Sequence, residues 1–177
     1  GGVVHRRARR EHPAGCPGWV DAAGRRPNVR SPWIGLKAHV RLGGTTGGLE
    51  LHLGEGAYVG LAAVEDGWVN VCGLFRRRGG LQVDRERALS AHLRASGLVV
   101  LADRLALGQV RAGSACAVAA VGFDRRMRQG EGIGLGDTRA MIPPFTGNGM
   151  AMAFAGAALA VDPLVAWARG ERSWAKT

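Results

Sequence analysis

The clearest pattern in the sequence is a strict alternation of apolar and polar residues between positions 34 and 42. Apolar side chains occupy every second position, and Lys37, His39 and Arg41 lie between them. Because successive side chains of a β-strand point to opposite faces of a sheet, this spacing predicts a half-buried strand.

Three further stretches predict strands of the same sheet: Leu49–Leu53, Ala57–Glu65 and Trp68–Phe75. Leucines alternate with Glu50 and His52 in the first of these stretches. Asp66-Gly67, between the other two, favours a type I′ hairpin turn, because both residues tolerate a positive φ. We therefore predict a four-stranded antiparallel sheet from Trp33 to Phe75. One face should pack on the core, and the other should be more polar.

Helical patterns and shorter strands follow this sheet. Asp84 is a candidate N-cap for a helix running to about Ala95, and Gly97 should end it. Short strands are predicted at 115–123 and 133–136. The predicted fold class is α/β, of the mixed α+β kind.

The C-terminal part is built from small apolar residues. After Gly149, residues 151–158 are mostly Ala and predict a helix that packs tightly on a sheet or a cofactor. Asp162-Pro163 predicts the start of a second helical segment that ends near Gly170, because Pro is favoured at the first helical position. No run in the sequence approaches the roughly 20 apolar residues of a membrane span, so no transmembrane segment is expected. Peripheral membrane contact stays open.

Composition narrows the class of protein. A chain of 177 residues with 46% hydrophobic residues is long enough for one domain with a core and short for two. The three cysteines are widely spaced and form no CxxC pair, and the five histidines show no ligand spacing. We therefore expect no metal site, a reducing compartment and a cytoplasmic location.

The net charge of +10 raises the question of a polyanionic partner. Only Lys37 and Lys176 are lysines, and most of the arginines are scattered along the chain. The arginines within residues 1–19 have no interleaved aromatic residues, so this basic segment is expected to be solvated and poorly ordered. Nucleic-acid binding is not favoured, although a basic polyanion-binding protein stays an alternative.

The stretch that carries the most chemistry runs from Gly134 to Met152. An Asp at the end of a strand, here Asp137, accepts hydrogen bonds from hydroxyl groups. Gly147 and Gly149 allow a ligand to approach the backbone closely. The helix that follows presents free N–H groups and a positive dipole end to an electron-rich group. Taken alone, the stretch also suits an ordinary Gly/Pro loop that caps a helix.

This stretch resembles the second FAD-binding motif of the flavin-dependent oxidoreductases that include aromatic hydroxylases and geranylgeranyl reductases. The matching residues are Gly136, Asp137, Pro144, Gly147, Gly149 and Met150, whereas Thr138 and Arg139 stand where the family has small residues. A second resemblance covers VDAAGRRPNVR, in which Asp21, Ala23, Gly24, Arg25 and Pro27 match. The strands between the two motifs follow in the order of the family's substrate-domain sheet.

The resemblance implies part of a Rossmann-like FAD/NAD(P)-binding domain, formed by residues 20–32 and 115–177. Residues 33–114 would form the inserted substrate-domain sheet and its helix. No G-x-G-x-x-G occurs in the chain, so the pyrophosphate-binding turn of such proteins is missing. The chain therefore looks like the C-terminal part of a longer flavoprotein.

The resemblance also implies roles for individual residues, and it leaves the catalytic residues unidentified. Asp137 would bind a ribityl hydroxyl, and the backbone at 147–150 would stabilise negative charge on the reduced flavin. The implied cofactor-binding residues are Gly24, Arg25, Gly136, Asp137, Pro144, Gly147, Asn148, Gly149 and Met150. The electron donor would be NAD(P)H, as the family allows.

A polar row on the predicted sheet suggests a place for an acidic organic substrate. The candidate substrate-binding residues are Lys37, His39, Arg41, Tyr58 and Asn70. Alternation by itself favours a solvated strand face over a substrate site, so that interpretation stays open. Two rivals to a flavin-dependent oxidoreductase also stay open, namely a non-catalytic truncated remnant and the basic polyanion-binding protein.

Overall fold

The computed structural model describes residues 16–25, 27–43, 47–79, 84–123 and 132–177. The predicted basic segment, up to position 15, lies outside the described residues. Within these ranges the structure has eight strands and three α-helices: β1 (Val20–Asp21), β2 (Trp33–Arg41), β3 (Leu49–Gly54), β4 (Ala57–Ala63), β5 (Val69–Arg76), α1 (Arg85–Ala95), α2 (Val99–Ala106), β6 (Gln109–Val110), β7 (Cys116–Val121), β8 (Ile133–Gly134) and α3 (Gly149–Ala168).

The chain divides into two compact units, which are described separately. Unit 1 comprises Gly1–Arg26 and Phe123–Thr177, and unit 2 comprises Pro27–Gly122. The division differs from the boundaries predicted at 32/33 and 114/115. The second boundary moves because β7, predicted to lie with the FAD-binding part, pairs antiparallel with β2 and so joins unit 2.

Unit 2 contains the predicted antiparallel sheet. Its strands lie in the order β3-β4-β5-β2-β6, and β7 also pairs with β2. The predicted four-stranded sheet is thereby confirmed, with β2 at an inner position. Asp66 (φ 60°) and Gly67 (φ 70°) both have positive φ, so the turn between β4 and β5 has the predicted type I′ geometry.

The helices α1 and α2 cover one face of this sheet and close the core. The largest fully buried side chains are Phe75, Leu61, Leu93, Val40, Val59 and Val71. As predicted, the Asp84 side chain caps α1 by accepting a hydrogen bond from the Arg87 N–H at 2.9 Å. Gly97 ends the helix with a positive φ of 77°.

Helix α2 was not predicted from the sequence. Its buried residues are Leu101, Ala102 and Leu105, and Leu98 packs against the same core. These positions follow the spacing i, i+3, i+4 and i+7 of one helix face, so the signal was present in the sequence.

Strand β3 alternates as predicted, but the face that it turns to the core is the polar one. Leu49, Leu51 and Leu53 are 68%, 56% and 78% exposed. Glu50 lies on the opposite face, where its carboxylate accepts hydrogen bonds from Arg104 of α2 at 2.7 and 3.1 Å. Because this ion pair stabilises the contact with α2, the acidic side chain of the edge strand points toward the helices. The expectation of a more polar outer face is therefore wrong at β3.

Unit 1 consists of a parallel pair of short strands and the long helix α3. Val20 pairs with Ile133 and Asp21 with Gly134. The predicted break at Asp162-Pro163 is wrong, since α3 runs through Pro163 without interruption. Residues on both sides are mainly strong helix formers such as Ala, so continuing the helix past one missing N–H is less costly than ending it.

The uninterrupted helix also corrects the prediction that no apolar run reaches the length of a membrane span. Helix α3 has 20 residues and a mean hydropathy of 1.6, with none of its residues buried. Length and composition alone would let it cross a membrane. They are weak grounds, because the core helix of a larger fold passes the same test.

Candidate functional site

Asp137 lies in a tight turn that joins strand β8 to the rest of unit 1. The turn spans Gly136–Thr138 and contacts α3. Gly136 has a φ of 58°, and a Cβ added there would lie 3.3 Å from the Cβ of Ala153. Glycine therefore serves both the turn and its close approach to the helix. The Asp137 side chain is exposed and forms no ion pair with any described residue.

Thr138 holds the two sequence motifs of unit 1 together. Its hydroxyl accepts a hydrogen bond from the Gly24 N–H at 2.9 Å and donates one to the Gly24 carbonyl at 3.0 Å. The Leu135 N–H donates to the carbonyl of Asp21 at 2.9 Å, extending the β1–β8 pairing. Thr138, one of the two residues that depart from the family pattern, thus links the two motifs.

Two grooves with walls of described residues border this turn. The larger, of about 500 Å³, has walls of small or apolar residues: Ala22, Gly24, Leu135, Gly136, Asp137, Gly149, Met150, Ala153, Phe154 and Ala157. The smaller, of about 130 Å³, shares Gly136, Asp137, Gly149 and Ala153 and adds Arg139 and Met152. We call the larger groove the cofactor groove, after the residues that the family resemblance implies for a cofactor. Among the described residues that line it, only Asp137 has an ionisable side chain.

The N-terminus of α3 opens on the cofactor groove. The side chain of its N-cap residue, Asn148, makes no capping hydrogen bond, and the first turn holds no acidic residue. A Cβ added at Gly149 would meet no described atom within 4 Å, so the space beside it is open. The uncapped N–H groups and the positive end of the helix suit an electron-rich ligand.

Of the nine residues implied to bind a cofactor, five line the cofactor groove: Gly24, Gly136, Asp137, Gly149 and Met150. The other four, Arg25, Pro144, Gly147 and Asn148, do not line it. Pro144 starts a short 3-10 turn, Gly147 ends it with a φ of 69°, and Asn148 precedes α3. These three residues shape the approach to the helix.

Five further lining residues were not predicted from the sequence: Ala22, Leu135, Ala153, Phe154 and Ala157. Ala22 and Leu135 directly follow strands β1 and β8, and the other three lie on one face of α3. The spacing of 153, 154 and 157 was readable in the sequence, but a helix of small residues does not reveal which face a groove will use.

The five candidate substrate residues all lie on the face of the unit 2 sheet that α1 and α2 leave uncovered, which we call the open face. The strand register arranges this face in rows across the sheet. One row comprises Leu49, Ala62, Asn70 and His39, and the next comprises Leu51, Gly60, Cys72, Lys37 and Cys116. Tyr58 lies in the third row, between Leu53 and Leu74.

Arg41 is held in place on the open face by Trp68. Its guanidinium carbon lies 4.5 Å from the centre of the Trp68 ring, and its Nη2 donates to the Asp66 carbonyl at 3.0 Å. The guanidinium of Arg111 lies 5.7 Å from the same ring. Both guanidinium groups therefore contact the ring of Trp68, and the ring quadrupole attracts each of them.

The neutral groups of the open face stay neutral at physiological pH. Burial raises the pKa of the Tyr58 hydroxyl to about 12. Burial also raises the pKa of the Cys72 thiol, although the neighbouring Lys37 opposes the shift. The Oδ1 atom of Asn70 is buried and has no hydrogen-bond partner among the described residues. No group of three potential metal ligands occurs in the described ranges.

Comparison with known proteins shows which solved structures share this fold. Neither a protein-family model nor a curated protein sequence matches the chain. Among solved structures, the myxobacterial chondrochloren halogenase CndH, described as FAD-dependent, matches 89% of this chain with a TM-score of 0.65 and 13% identity. The flavin-dependent brominase Bmp2 matches 88% with a TM-score of 0.60 and 14% identity.

PqsL of Pseudomonas aeruginosa, described as "a probable FAD-dependent monooxygenase", matches 89% of the chain with a TM-score of 0.55 and 18% identity. The chain has the fold of part of an FAD-dependent monooxygenase. It spans 41% of CndH, 44% of Bmp2 and 48% of PqsL, so less than half of each of these flavoproteins. The resemblance inferred from the two motifs and the sheet between them is confirmed at the level of the fold.

Proposed function

We propose that the chain is part of an FAD-dependent oxidoreductase, of the monooxygenase or reductase kind, and that the cofactor groove of unit 1 binds FAD. The observation that carries the proposal is the conjunction of an unpaired exposed carboxylate, Asp137, with an uncapped helix N-terminus at Gly149. Both border one groove whose other walls are small or apolar. The flavoprotein fold of the structural neighbours supports the same assignment.

The residues of the cofactor groove fit parts of FAD. Asp137 would accept hydrogen bonds from ribityl hydroxyls, because an exposed carboxylate offers several acceptor sites. The first N–H groups of α3 would donate to electron-rich atoms of the flavin. Gly24, with a φ of 85° and open space at its Cβ position, would let the cofactor lie against the backbone. FAD supplies redox chemistry, while the protein binds, orients and tunes it.

The open face of unit 2 is the proposed substrate side. Lys37, His39 and Arg41 would bind the acidic group of an organic substrate, and Tyr58 and Asn70 would contact its body. The PqsL neighbour has been observed in complex with 2-aminobenzoylacetate, a small organic molecule. We further propose NAD(P)H as electron donor and a cytoplasmic location, which rest on the family resemblance and on the dispersed cysteines.

The Asp137→Ala variant tests the cofactor proposal. One hydrogen bond to a charged group contributes about 1.5–3 kcal/mol, so FAD affinity should fall by about 10- to 150-fold. FAD fluorescence titration of the purified chain measures this loss, after circular dichroism has shown that the variant is folded. Asp162→Ala is the matched control, because Asp162 is an exposed carboxylate of the same unit that lines neither groove.

Wild-type FAD affinity in Asp137→Ala would show that the motif only shapes a helix start. A chain that binds no FAD at all would favour the non-catalytic remnant. A gel shift with DNA that weakens steeply as salt rises would favour the polyanion-binding protein instead.

A further inference from the structure

The open face of unit 2 carries an exposed apolar edge that has no role in the proposed function. Its two sides differ in chemistry, because β3 presents three exposed leucines, Leu49, Leu51 and Leu53, and β2 presents cations. The strands β4 and β5 lie between these two edges. None of the strand residues on this face is acidic within the described ranges.

A gap between the side chains of the two sides lies at Gly60. In the row Leu51–Gly60–Cys72–Lys37, the central glycine has no side chain. A Cβ added there would lie 3.5 Å from Leu51 Cδ2 and 3.8 Å from Leu49 Cδ1. The two leucines therefore border the space above Gly60 on one side, and Lys37 lies two strands away on the other.

The charge of Lys37 is not balanced within the sheet. Its cross-strand neighbours are Cys72 and Cys116, and it forms no ion pair with a described residue. The raised pKa of the Cys72 thiol keeps that neighbour neutral, so it supplies no negative charge. Arg41 and Arg111 add positive charge at the adjacent end of β2. An exposed apolar strip on the same face as an unbalanced cation favours a ligand that has both an apolar and an anionic part, and it opposes packing against a second copy of the same face.

We propose that the open face binds an anionic amphiphile, a molecule whose single carboxylate contacts Lys37 and whose apolar chain crosses Cys72 and Gly60 to Leu51 and Leu49. Three strand spacings of about 4.8 Å separate β2 from β3, so the ligand must reach about 14 Å. A medium- to long-chain carboxylate has this length, whereas a short carboxylate can reach only the cation. The inference rests on the proposed substrate side of the sheet and specifies the class of substrate.

Titration calorimetry of the 177-residue chain with dodecanoate, below its micelle concentration, tests the proposal. We expect saturable binding that is at least tenfold tighter than that of butyrate. Lys37→Met should weaken dodecanoate binding at least tenfold, and Gly60→Val should do the same by placing a branched side chain in the gap at Gly60. A β-branched residue suits a strand and the added Cβ itself meets only ordinary contacts, so the circular dichroism of this variant should match that of the wild type.

Lys176→Met is the matched control, since Lys176 is the only other lysine and lies in unit 1. Equal losses in the two lysine variants, or equal affinities for butyrate and dodecanoate, would overturn the proposal. So would a dimer in sedimentation analysis that Leu51→Ser dissociates, because the leucines would then face a second copy. FAD titration of the same samples separates the two hypotheses. Binding of FAD without binding of dodecanoate would overturn only this inference. Binding of dodecanoate without binding of FAD would overturn only the cofactor assignment.

Discussion

The two units of this protein differ most in how they bury apolar side chains. Every described residue of the buried core, from Leu36 to Val121, belongs to unit 2. In unit 1 no described residue is buried, and helix α3 leaves Met150, Phe154 and Leu159 largely exposed. The sheet of unit 2 is stabilised by the apolar side chains that it buries against two helices. Unit 1 buries few apolar side chains, so it should gain more stability from a ligand or partner that covers its groove and its apolar helix.

Truncating one leucine in each unit gives the largest expected contrast. Leu93 of α1 is fully buried, and Leu159 of α3 is 79% exposed. Leu93→Ala should lower the free energy of unfolding by about 2–5 kcal/mol, because it removes apolar contacts and leaves a cavity. Leu159→Ala should change it by less than about 0.5 kcal/mol. Urea unfolding measures both, and similar losses would mean that α3 is buried in solution.

Binding of FAD should stabilise the two units unequally. A ligand at 100 times its Kd stabilises the state that binds it by about 2.7 kcal/mol. If FAD fills the cofactor groove, amide hydrogen exchange in α3 should slow by up to about 100-fold, while β5 changes little. Mass spectrometry of the exchanged chain, with and without FAD, makes the comparison. Protection confined to β5 would contradict the assignment of the groove.

The starts of helices α1 and α3 provide a smaller contrast. Asp84→Ala removes the hydrogen bond to the Arg87 N–H and should cost about 0.5–2 kcal/mol of stability. Asn148→Ala should cost less, because the Asn148 side chain makes no capping bond. Thermal unfolding of the two variants, without cofactor, measures the difference. An equal cost would show that Asn148 caps α3 after all.

The smallest effect concerns the ion pair of β3 with α2. Arg104 and His52 hold the pKa of Glu50 below its ordinary value of 4.5. The pair therefore stabilises the fold above that value, and its contribution disappears as the pH falls through the lowered pKa. Glu50→Gln should cost less than about 1 kcal/mol at neutral pH, because the pair is partly exposed. The difference from the wild type should vanish in acid, and a difference that persists there would exclude this ion pair as its cause.

Local patterns predicted much of unit 2 because each of them is decided within a few residues. The alternation at Lys37, His39 and Arg41 predicted strand β2, the positive φ of Asp66-Gly67 followed from the turn residues, and Asp84 was recognised as a cap. Such features depend on backbone preferences and near neighbours, which the sequence displays directly. The order of residues from Gly134 to Met152 likewise indicated that Asp137 and Gly149 belong to one motif.

The tertiary structure decided what depends on distant partners. Only the pairing of β7 with β2 placed residues 116–121 in unit 2, and only Arg104 of α2 explains why Glu50 turns inward and the leucines of β3 turn outward. Pro163 stays inside α3 because the residues on both sides favour the helix more than one lost hydrogen bond opposes it. The bond between Thr138 and Gly24 joins positions 114 residues apart. A sequence states which residues prefer a strand, a turn or a helix, but the face that each element buries is fixed by the free energy of contacts that form only in the folded chain.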